Sequence, residues 1–452
     1  MALDQFLIIF ACLFIVVMML LVLVPYLLGR SDLPTSWNLF LIGSANFIGA
    51  SSIGAATSEA HYIEYDDGDY YRFFLGVVTF YTTLVLTYYW VKIPRRVAGL
   101  ALLKWPPVTV PVLFLMVPIA PIFIMGARLL PPIPFLSPLL FQVGVKAVVF
   151  TLVLAFVAWY KQKYNPILLA TWPAVLGAGL ILGITFGTGR RPIVAILLAI
   201  PICLYWLRWR YRRPVMNVLL ASAVLAIFAI VMGAYTQVRH RGRGAGVERT
   251  FDYAVESLQI ASEKIFTPRT VALLGQNAGE CSLLAIHMYT HDLPPQPFHS
   301  LFYVLVNPIP RMLWHDKPTA LGSTLPKDGR TLYRIGFTRS TWGPGIVGHG
   351  YHEGGPVMLV FYGILFGMVL RLFDELLMRQ PDNPYLLGCF TAISSHIIGW
   401  PRGDIGTFAL QIIFGVLMVL IIRSIGRLVF GTGLVYPRTS YYDITKQGFV
   451  PR

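Results

Sequence analysis

A chain of 452 residues with 56% hydrophobic side chains, 13% charged ones and a mean hydropathy of +0.66 carries more apolar surface than a water-soluble fold can hide, so lipid must be its solvent. The formal charge of +15 does not point to nucleic acid, because the basic residues fall in short clusters between apolar runs, the pattern that orients a membrane protein. Of the four cysteines, Cys12, Cys203 and Cys389 lie inside apolar runs and Cys281 stands apart, so no disulfide framework is implied.

Taken in chain order, runs long enough to span fall at approximately 5–28, 37–58, 73–93, 108–126, 145–160, 166–187, 192–207, 215–235, 355–373, 384–400 and 405–423. The chain is therefore expected to be an all-α polytopic membrane protein of about eleven helices, within a range of roughly 10–12. The first run lacks a basic n-region and a cleavage site, and reads as a retained anchor. The stretch 127–144, interrupted by Pro131, Pro132, Pro134 and Pro138, reads as re-entrant or interfacial. Lys92, Arg95, Arg96 and Lys104 mark one cytoplasmic turn, Lys161 and Lys163 a second, Arg208, Arg210, Arg212 and Arg213 a third, and Arg423, Arg427 and Arg438 the tail. With that parity the amino terminus lies outside, the carboxyl terminus inside, and the acidic turn Glu64 to Asp69 outside.

The resulting organisation is a membrane bundle over 1–235, an outer loop over 236–354, closing helices over 355–424 and a cytoplasmic tail over 425–452. The loop holds seven of the nine histidines. Phe251, Ala254, Leu258, Ala261 and Ile265 recur at helical spacing and predict an amphipathic helix, and a second helix is expected from Gln276 to Tyr289. The prolines from 294 to 318 and glycines from 322 to 355 predict irregular backbone beyond it.

Three groups of residues carry chemistry. Gly187-Thr-Gly-Arg190-Arg191-Pro192 puts two arginines at an outer helix end, where they either snorkel to headgroups or fork onto phosphate oxygens. Trp400-Pro-Arg402-Gly-Asp404 fixes an arginine in a very short outer turn, as an ion pair with Asp404 or as a ligand. In the loop, Pro308-Ile-Pro-Arg311-Met-Leu-Trp314-His-Asp-Lys317-Pro318, with Arg330, Arg334, Arg339, Trp342, His349, His352 and Glu353, combines cations, aromatic faces and carboxylates. That mixture suits sugars joined to phosphate, rings stacking on Trp314 or Trp342 while cations meet the anion.

His287 and His291, four apart beside Asp292, form one candidate group of metal ligands, and His349, His352 and Glu353 form another. Neither is a complete set of known spacing. GxSxG, HExxH, Walker and paired DxD elements are all missing from the sequence. An enzyme on the outer face without a nucleotide site needs a lipid-linked sugar donor.

In the order of these features the chain resembles the O-antigen polymerases, or oligosaccharide-repeat-unit polymerases, especially the enterobacterial common antigen polymerase type. The resemblance rests on Gly-Thr-Gly-Arg-Arg before an apolar helix, Glu280 opening a Leu-rich helix, the element at 308–318, the glycine-rich entry to the next helix, and Arg402-Gly-Asp-Ile-Gly-Thr-Phe. It implies a GT-C-like membrane glycosyltransferase of the bacterial inner membrane, without metal or cofactor. Its donor and acceptor would be undecaprenyl-pyrophosphate-linked oligosaccharides, its surroundings membrane lipid, and its partner a chain-length-regulating co-polymerase.

Carried onto this sequence, the resemblance gives Arg190, Arg191 and Arg402 to the donor pyrophosphate with Arg311 or Arg339 assisting. The general base is expected among Glu280, His349 and Glu353, with His349 preferred because the related O-antigen ligases use a loop histidine, and Trp314, Trp342 and Lys317 are expected to hold sugar. An O-antigen ligase would share the donor chemistry and differ in acceptor. A transporter would place charges at the midplane and repeat its helices in two halves, which this sequence does not do. An intramembrane protease lacks a paired nucleophile and base.

Overall fold

The structure is a computed structural model that describes residues 3–56, 62–100, 136–185, 191–226, 278–335 and 342–430, with a few positions between 113 and 124. Among the described residues the regular structure is helical, in chain order α1 (Leu3–Leu27), α2 (Ser36–Ser44), α3 (Ser51–Ala56), α4 (Asp67–Trp90), α5 (Ile93–Leu100), α6 (Leu136–Lys161), α7 (Pro166–Thr185) and α8 (Arg191–Leu207). There follow α9 (Pro214–Ala226), α10 (Ala278–His287), α11 (His299–Val306), α12 (Leu321–Tyr333), α13 (Gly345–Glu353), α14 (Pro356–Arg379), α15 (Pro384–Gly399) and α16 (Ile405–Phe430). Two compact units divide these helices. The first comprises Met1–Pro94, Met232–Arg371 and Ile397–Leu410, and the second Arg95–Val231, Leu372–His396 and Gln411–Arg452.

Among the described residues, Gln5–Leu27, Asp67–Trp90, Leu140–Lys161, Pro356–Arg379 and Ile405–Ser424 are long and apolar enough to cross a membrane. Pro166–Leu182, Arg191–Leu207 and Pro214–Ala226 are shorter apolar helices. The protein is thus a multi-pass helical membrane protein. The expected span 108–126 lies largely outside the described residues, as do the amphipathic helix expected over 251–265 and the end of the tail.

Helix α1 shows what lipid as solvent means for a sequence. Leu7, Ala11, Phe14, Met18, Val22 and Tyr26 form a buried stripe, while Ile9, Leu13, Val16, Leu20 and Val24 are exposed and equally apolar. A helix apolar on all sides that packs with one of them leaves the other to acyl chains. In α4 the buried set Phe73, Val77, Phe80, Tyr81, Leu84 and Tyr88 repeats the pattern, and Asp66 and Asp69 close a reciprocal capping box at its start. The helix ends at Trp90, with 74% of the residue exposed, just before the basic turn, the place where an amphipathic ring meets the headgroups.

The expected span 37–58 is helical from Ser36 to Ala56, but its middle is wound as a π-helix. A π-turn at Ala45–Ala50 separates α2 from α3. The hydroxyls of Ser44 and Ser52 donate to carbonyls one turn back, Phe40 O at 2.8 Å and Ile48 O at 2.6 Å, which satisfies polar groups a π-turn would otherwise strand. Gly43 is required here, since a Cβ would lie 1.9 Å from the carbonyl oxygen of Ile398.

The described part of the long loop, 278–335 and 342–354, is more helical than its prolines and glycines predict. Pro308, Pro310 and Pro318 fall between α11 and α12, and the glycines at 348 and 350 lie inside α13, where they let Ala285 and Leu359 approach its backbone. Cys281, Leu284, Ala285, Met288, Tyr289, Leu321, Leu325 and Ile335 form a core of the loop's own, roofed by Tyr62, Tyr65, Tyr333 and Trp342. A loop with its own core holds its side chains in fixed places.

In the second unit α6 is buried almost throughout from Ala147 to Val157. It begins at Leu136, so the second half of the stretch read as re-entrant is regular helix, while 127–135 lie outside the described residues. Lys146 is buried within it and donates from Nζ to Gln411 Oε1 at 2.7 Å.

Candidate functional site

The site grows from the turn between α15 and α16. Asp404 caps α16, its Oδ1 accepting from the Thr407 N–H at 2.8 Å, and its Oδ2 accepts from the Gly322 N–H at 3.0 Å. In sequence Asp404 is either paired with Arg402 or free for a ligand. Its carboxylate instead meets His349 of α13, Oδ2 standing 3.5 Å from Nε2.

His349 is fully buried, its Nδ1 3.1 Å from Ser300 Oγ and 3.8 Å from Glu353 Oε1, and its Nε2 3.2 Å from the Ile405 N–H. Glu353 in turn accepts from the Ser300 N–H at 3.0 Å and from the Tyr362 hydroxyl at 2.6 Å. Burial opposes a charge on this ring, but the carboxylates of Asp404 and Glu353 outweigh it and raise the His349 pKa to about 9. The Ile405 N–H donates to the lone pair of Nε2, and the second proton that the two flanking carboxylates favour replaces that hydrogen bond with one to Asp404. Burial alone would raise Asp404 and Glu353, and His349 with the donors around them holds both below the usual carboxylate range. His352, one turn on, is driven the other way to about 3 by burial and by His349 and His299, and stays neutral.

Arg402 is the residue this network positions. Its carbonyl accepts the Gly345 N–H at 3.0 Å, and its guanidinium carbon lies 5.9 Å from the centre of the Phe47 ring. Gly343 lies directly on it, since a Cβ there would stand 2.6 Å from Arg402 O and 3.1 Å from its Cγ. The neighbouring Trp342 is tied to Gly322 O through its N–H at 2.8 Å and stacks on Tyr62 at 4.8 Å, the planes 9° apart. Tyr62 leads to Glu280, whose Oε1 accepts its backbone N–H at 2.9 Å and the Tyr65 hydroxyl at 2.8 Å. Beside Glu280, Cys281 lies within the electrostatic reach of Arg402, although burial dominates and pushes its thiol up to about 12. Arg402 is thus packed against the segment that carries Trp342, Trp342 is linked through Tyr62 to Glu280, and His349 reaches the same turn through Asp404.

Other expected residues lie elsewhere. Lys317 is buried and gives its ammonium to Asn307 O and Ile309 O at 2.6 and 2.9 Å, tying the turn between α11 and α12. Trp314 sets its edge against Phe302 at 6.0 Å, and Arg311 donates to His315 O at 3.2 Å on the surface. Arg191 opens α8 in the second unit, where its charge reaches Lys146 and His396. Arg190 and Arg339 lie outside the described residues.

Several contributors do not stand out in the sequence. Ser300 and Tyr362 are ordinary helical residues until α11 and α14 place them on Glu353. Lys146 carries a signal, since a lone lysine inside an apolar run is costly unless it has a partner. Asp69 looks like one more residue of an acidic turn, although its buried carboxylate stands 2.6 Å from His287 Nδ1.

The fold and site define a polytopic helical membrane protein with a buried histidine–carboxylate centre behind a fixed arginine turn. No family model, curated protein or solved structure matches the chain.

Proposed function

We propose that this protein polymerises undecaprenyl-pyrophosphate-linked oligosaccharide repeat units on the outer face of the bacterial inner membrane, with its amino terminus outside and its carboxyl terminus inside. The reading rests on the resemblance to the O-antigen polymerases, and one observation carries it here. Gly343 of the loop lies on Arg402 of the short turn, a Cβ there standing 2.6 Å from Arg402 O and 3.3 Å from its Nε, so the segment that carries Trp342 is packed against the cation's own residue.

In the proposed reaction an acceptor sugar hydroxyl attacks the anomeric carbon of the donor, the bond from that carbon to the pyrophosphate oxygen breaks, and undecaprenyl pyrophosphate departs. Arg402 meets the negative charge that grows on the leaving group, a preorganised interaction stronger in the transition state than before it. The resemblance gives Arg190 and Arg191 to the same anion. Glu280 is the base in this account. His349 and Glu353 are both fully buried, away from an acceptor sugar, and both oxygens of Glu353 already accept hydrogen bonds. His349 acts as a positioning residue, holding Asp404 and through it the backbone of Arg402. Trp342 offers an aromatic edge to the acceptor ring, and a chain-length-regulating partner would set the number of cycles.

Deleting the gene in a host of known surface polysaccharide should leave single repeat units on the cell surface. Chains of normal length in the deletion strain would overturn the reading.

A further inference from the structure

Two carboxylates at the start of α4, Asp66 at its N-cap and Asp69 in its first turn, and two histidines from the loop converge more than two hundred residues apart in sequence. His287 Nδ1 lies 2.6 Å from Asp69 Oδ2, and His291 Nε2 lies 3.3 Å from Asp66 Oδ2 and 3.7 Å from Asp69 Oδ1. The ligand atoms of Asp69, His287 and His291 all fall within 4.8 Å of one another. We propose that Asp66, Asp69, His287 and His291 bind a divalent transition-metal ion of the zinc class, which fastens the loop to the start of α4.

The donor set is two imidazole nitrogens and two carboxylates, and zinc takes such ligands at about 2.0–2.2 Å in a tetrahedron, which sets them about 3.4 Å apart. Asp69, His287 and His291 are the three ligands already gathered; Asp69 stands 2.6 Å from His287 through Oδ2 and 3.7 Å from His291 through Oδ1, so one of its oxygens must take the ion, and Asp66, 3.3 Å from His291, turns in as the fourth ligand. The carboxylates are held in advance by the capping box, Asp66 Oδ1 accepting the Asp69 N–H at 2.7 Å and Asp69 Oδ2 accepting the Asp66 N–H at 3.3 Å. Such outer contacts orient metal ligands. The π-turn Met288–Asp292 that follows α10 brings the second histidine to the first, their ring centres 4.9 Å apart. Asp292, adjacent in sequence to His291, is not in the set, for the Tyr333 hydroxyl donates to it. With Asp69 buried and the His291 side chain 37% exposed, the cluster is closed on the protein side and open to the outer solution.

Arg72 sharpens the test. Its Nη1 stands 3.2 Å from Asp69 Oδ1 and 3.3 Å from His291 Nε2, so it draws on the same donor atoms, and its side chain, 35% exposed, can turn to solvent. Removing it should strengthen metal binding if the site takes an ion and weaken the cluster if it is only a hydrogen-bonded network.

The full chain, purified in detergent, is stripped with a chelator and titrated with zinc, with calorimetry and elemental analysis as readouts. The expected result is about one zinc per chain, lost in the double variant His287→Ala/His291→Ala, retained in Asp292→Asn, and bound at least about tenfold more tightly by Arg72→Ala. Thermal unfolding without zinc is followed in parallel, so that a variant that fails to fold is told from one that fails to bind. Zinc kept at full stoichiometry by the folded double variant overturns the proposal, as does a folded wild-type chain that takes up none. For a double variant that does not fold, His291→Ala, at the exposed rim, replaces it with the same two outcomes.

Discussion

His349 Nε2 lies 3.5 Å from Asp404 Oδ2, joining a loop residue to the turn that carries Arg402. Both side chains are buried, and the Glu353 carboxylate stands 3.8 Å from the other ring nitrogen. An arginine in a short turn is only as fixed as that turn, and this contact holds it together with the Gly345 N–H on Arg402 O and the Ile346 N–H on Pro401 O.

Removing the imidazole leaves two buried carboxylates without their shared partner. His349→Ala should therefore destabilise the protein by about 3–5 kcal/mol, the usual cost of breaking a buried pair from one side. Asp404→Asn should cost less, because the amide oxygen can still accept the Thr407 N–H. Thermal unfolding in detergent checks both, and the double variant should lose less than the sum of the singles because the residues share one interaction.

The same centre predicts a stability profile in pH. The folded ring binds its proton up to about 9 against an ordinary 6.5, so its contribution is complete below pH 6.5 and lost as pH rises through about 9. Asp404 and Glu353 run the opposite way. Held below their ordinary 3.8 and 4.5, they stabilise fully above those values and lose that contribution as pH falls below them. Melting temperature followed across pH should fall on both limbs, and His349→Gln should remove the alkaline one. An unchanged alkaline limb in that variant would contradict the assignment.

Two glycines should behave in opposite ways. In Gly343→Ala the new Cβ meets backbone at 2.6 Å, so Arg402 must shift and polymer formation should fall sharply while the protein stays in the membrane. A methyl group added at Gly177 would meet no atom within 4 Å, and Gly177→Ala in the middle of α7 should be neutral or stabilise by up to about 1 kcal/mol. Activity and melting temperature of the two variants, measured together, separate a close backbone approach from helix propensity.

Glu280→Gln keeps an oxygen to accept the Tyr62 N–H but cannot take a proton from an acceptor hydroxyl. Its melting temperature should stay near that of the wild type while turnover falls by roughly 10²–10⁴-fold, the usual worth of general base catalysis. Equal losses in Glu280→Gln and Glu280→Ala, with the fold intact, fit this role. Wild-type turnover in Glu280→Gln contradicts it.

Much of the helical framework is legible in the sequence because a lipid-facing helix such as α1 must be apolar on every side, and hydropathy reads that without knowing any partner. The close approach of Gly43 in α2 to Ile398 is not, because it brings in a distant part of the chain. At the site, Arg402, His349, Glu353, Glu280 and Trp342 are visible as costly or clustered residue types. Their pairing is not. Asp404 stands two residues from Arg402 in sequence, yet its carboxylate joins His349, and Asp292 adjoins His291 while the buried carboxylate at His287 is Asp69. Lys317 looks like a free cation until the turn around it places two carbonyl oxygens on its ammonium. Residue type announces that a group needs a partner, and only the packing of the loop decides which.

The most direct measurement reconstitutes the purified chain in lipid with undecaprenyl-pyrophosphate-linked repeat units and follows product length and released undecaprenyl pyrophosphate. The wild type should give a ladder of lengthened lipid-linked chains with one carrier released per added unit, and Arg402→Ala, recovered folded in the same membranes, should give neither. A ladder from Arg402→Ala equal to that of the wild type, or a folded wild-type protein that leaves single units unchanged, would contradict the account.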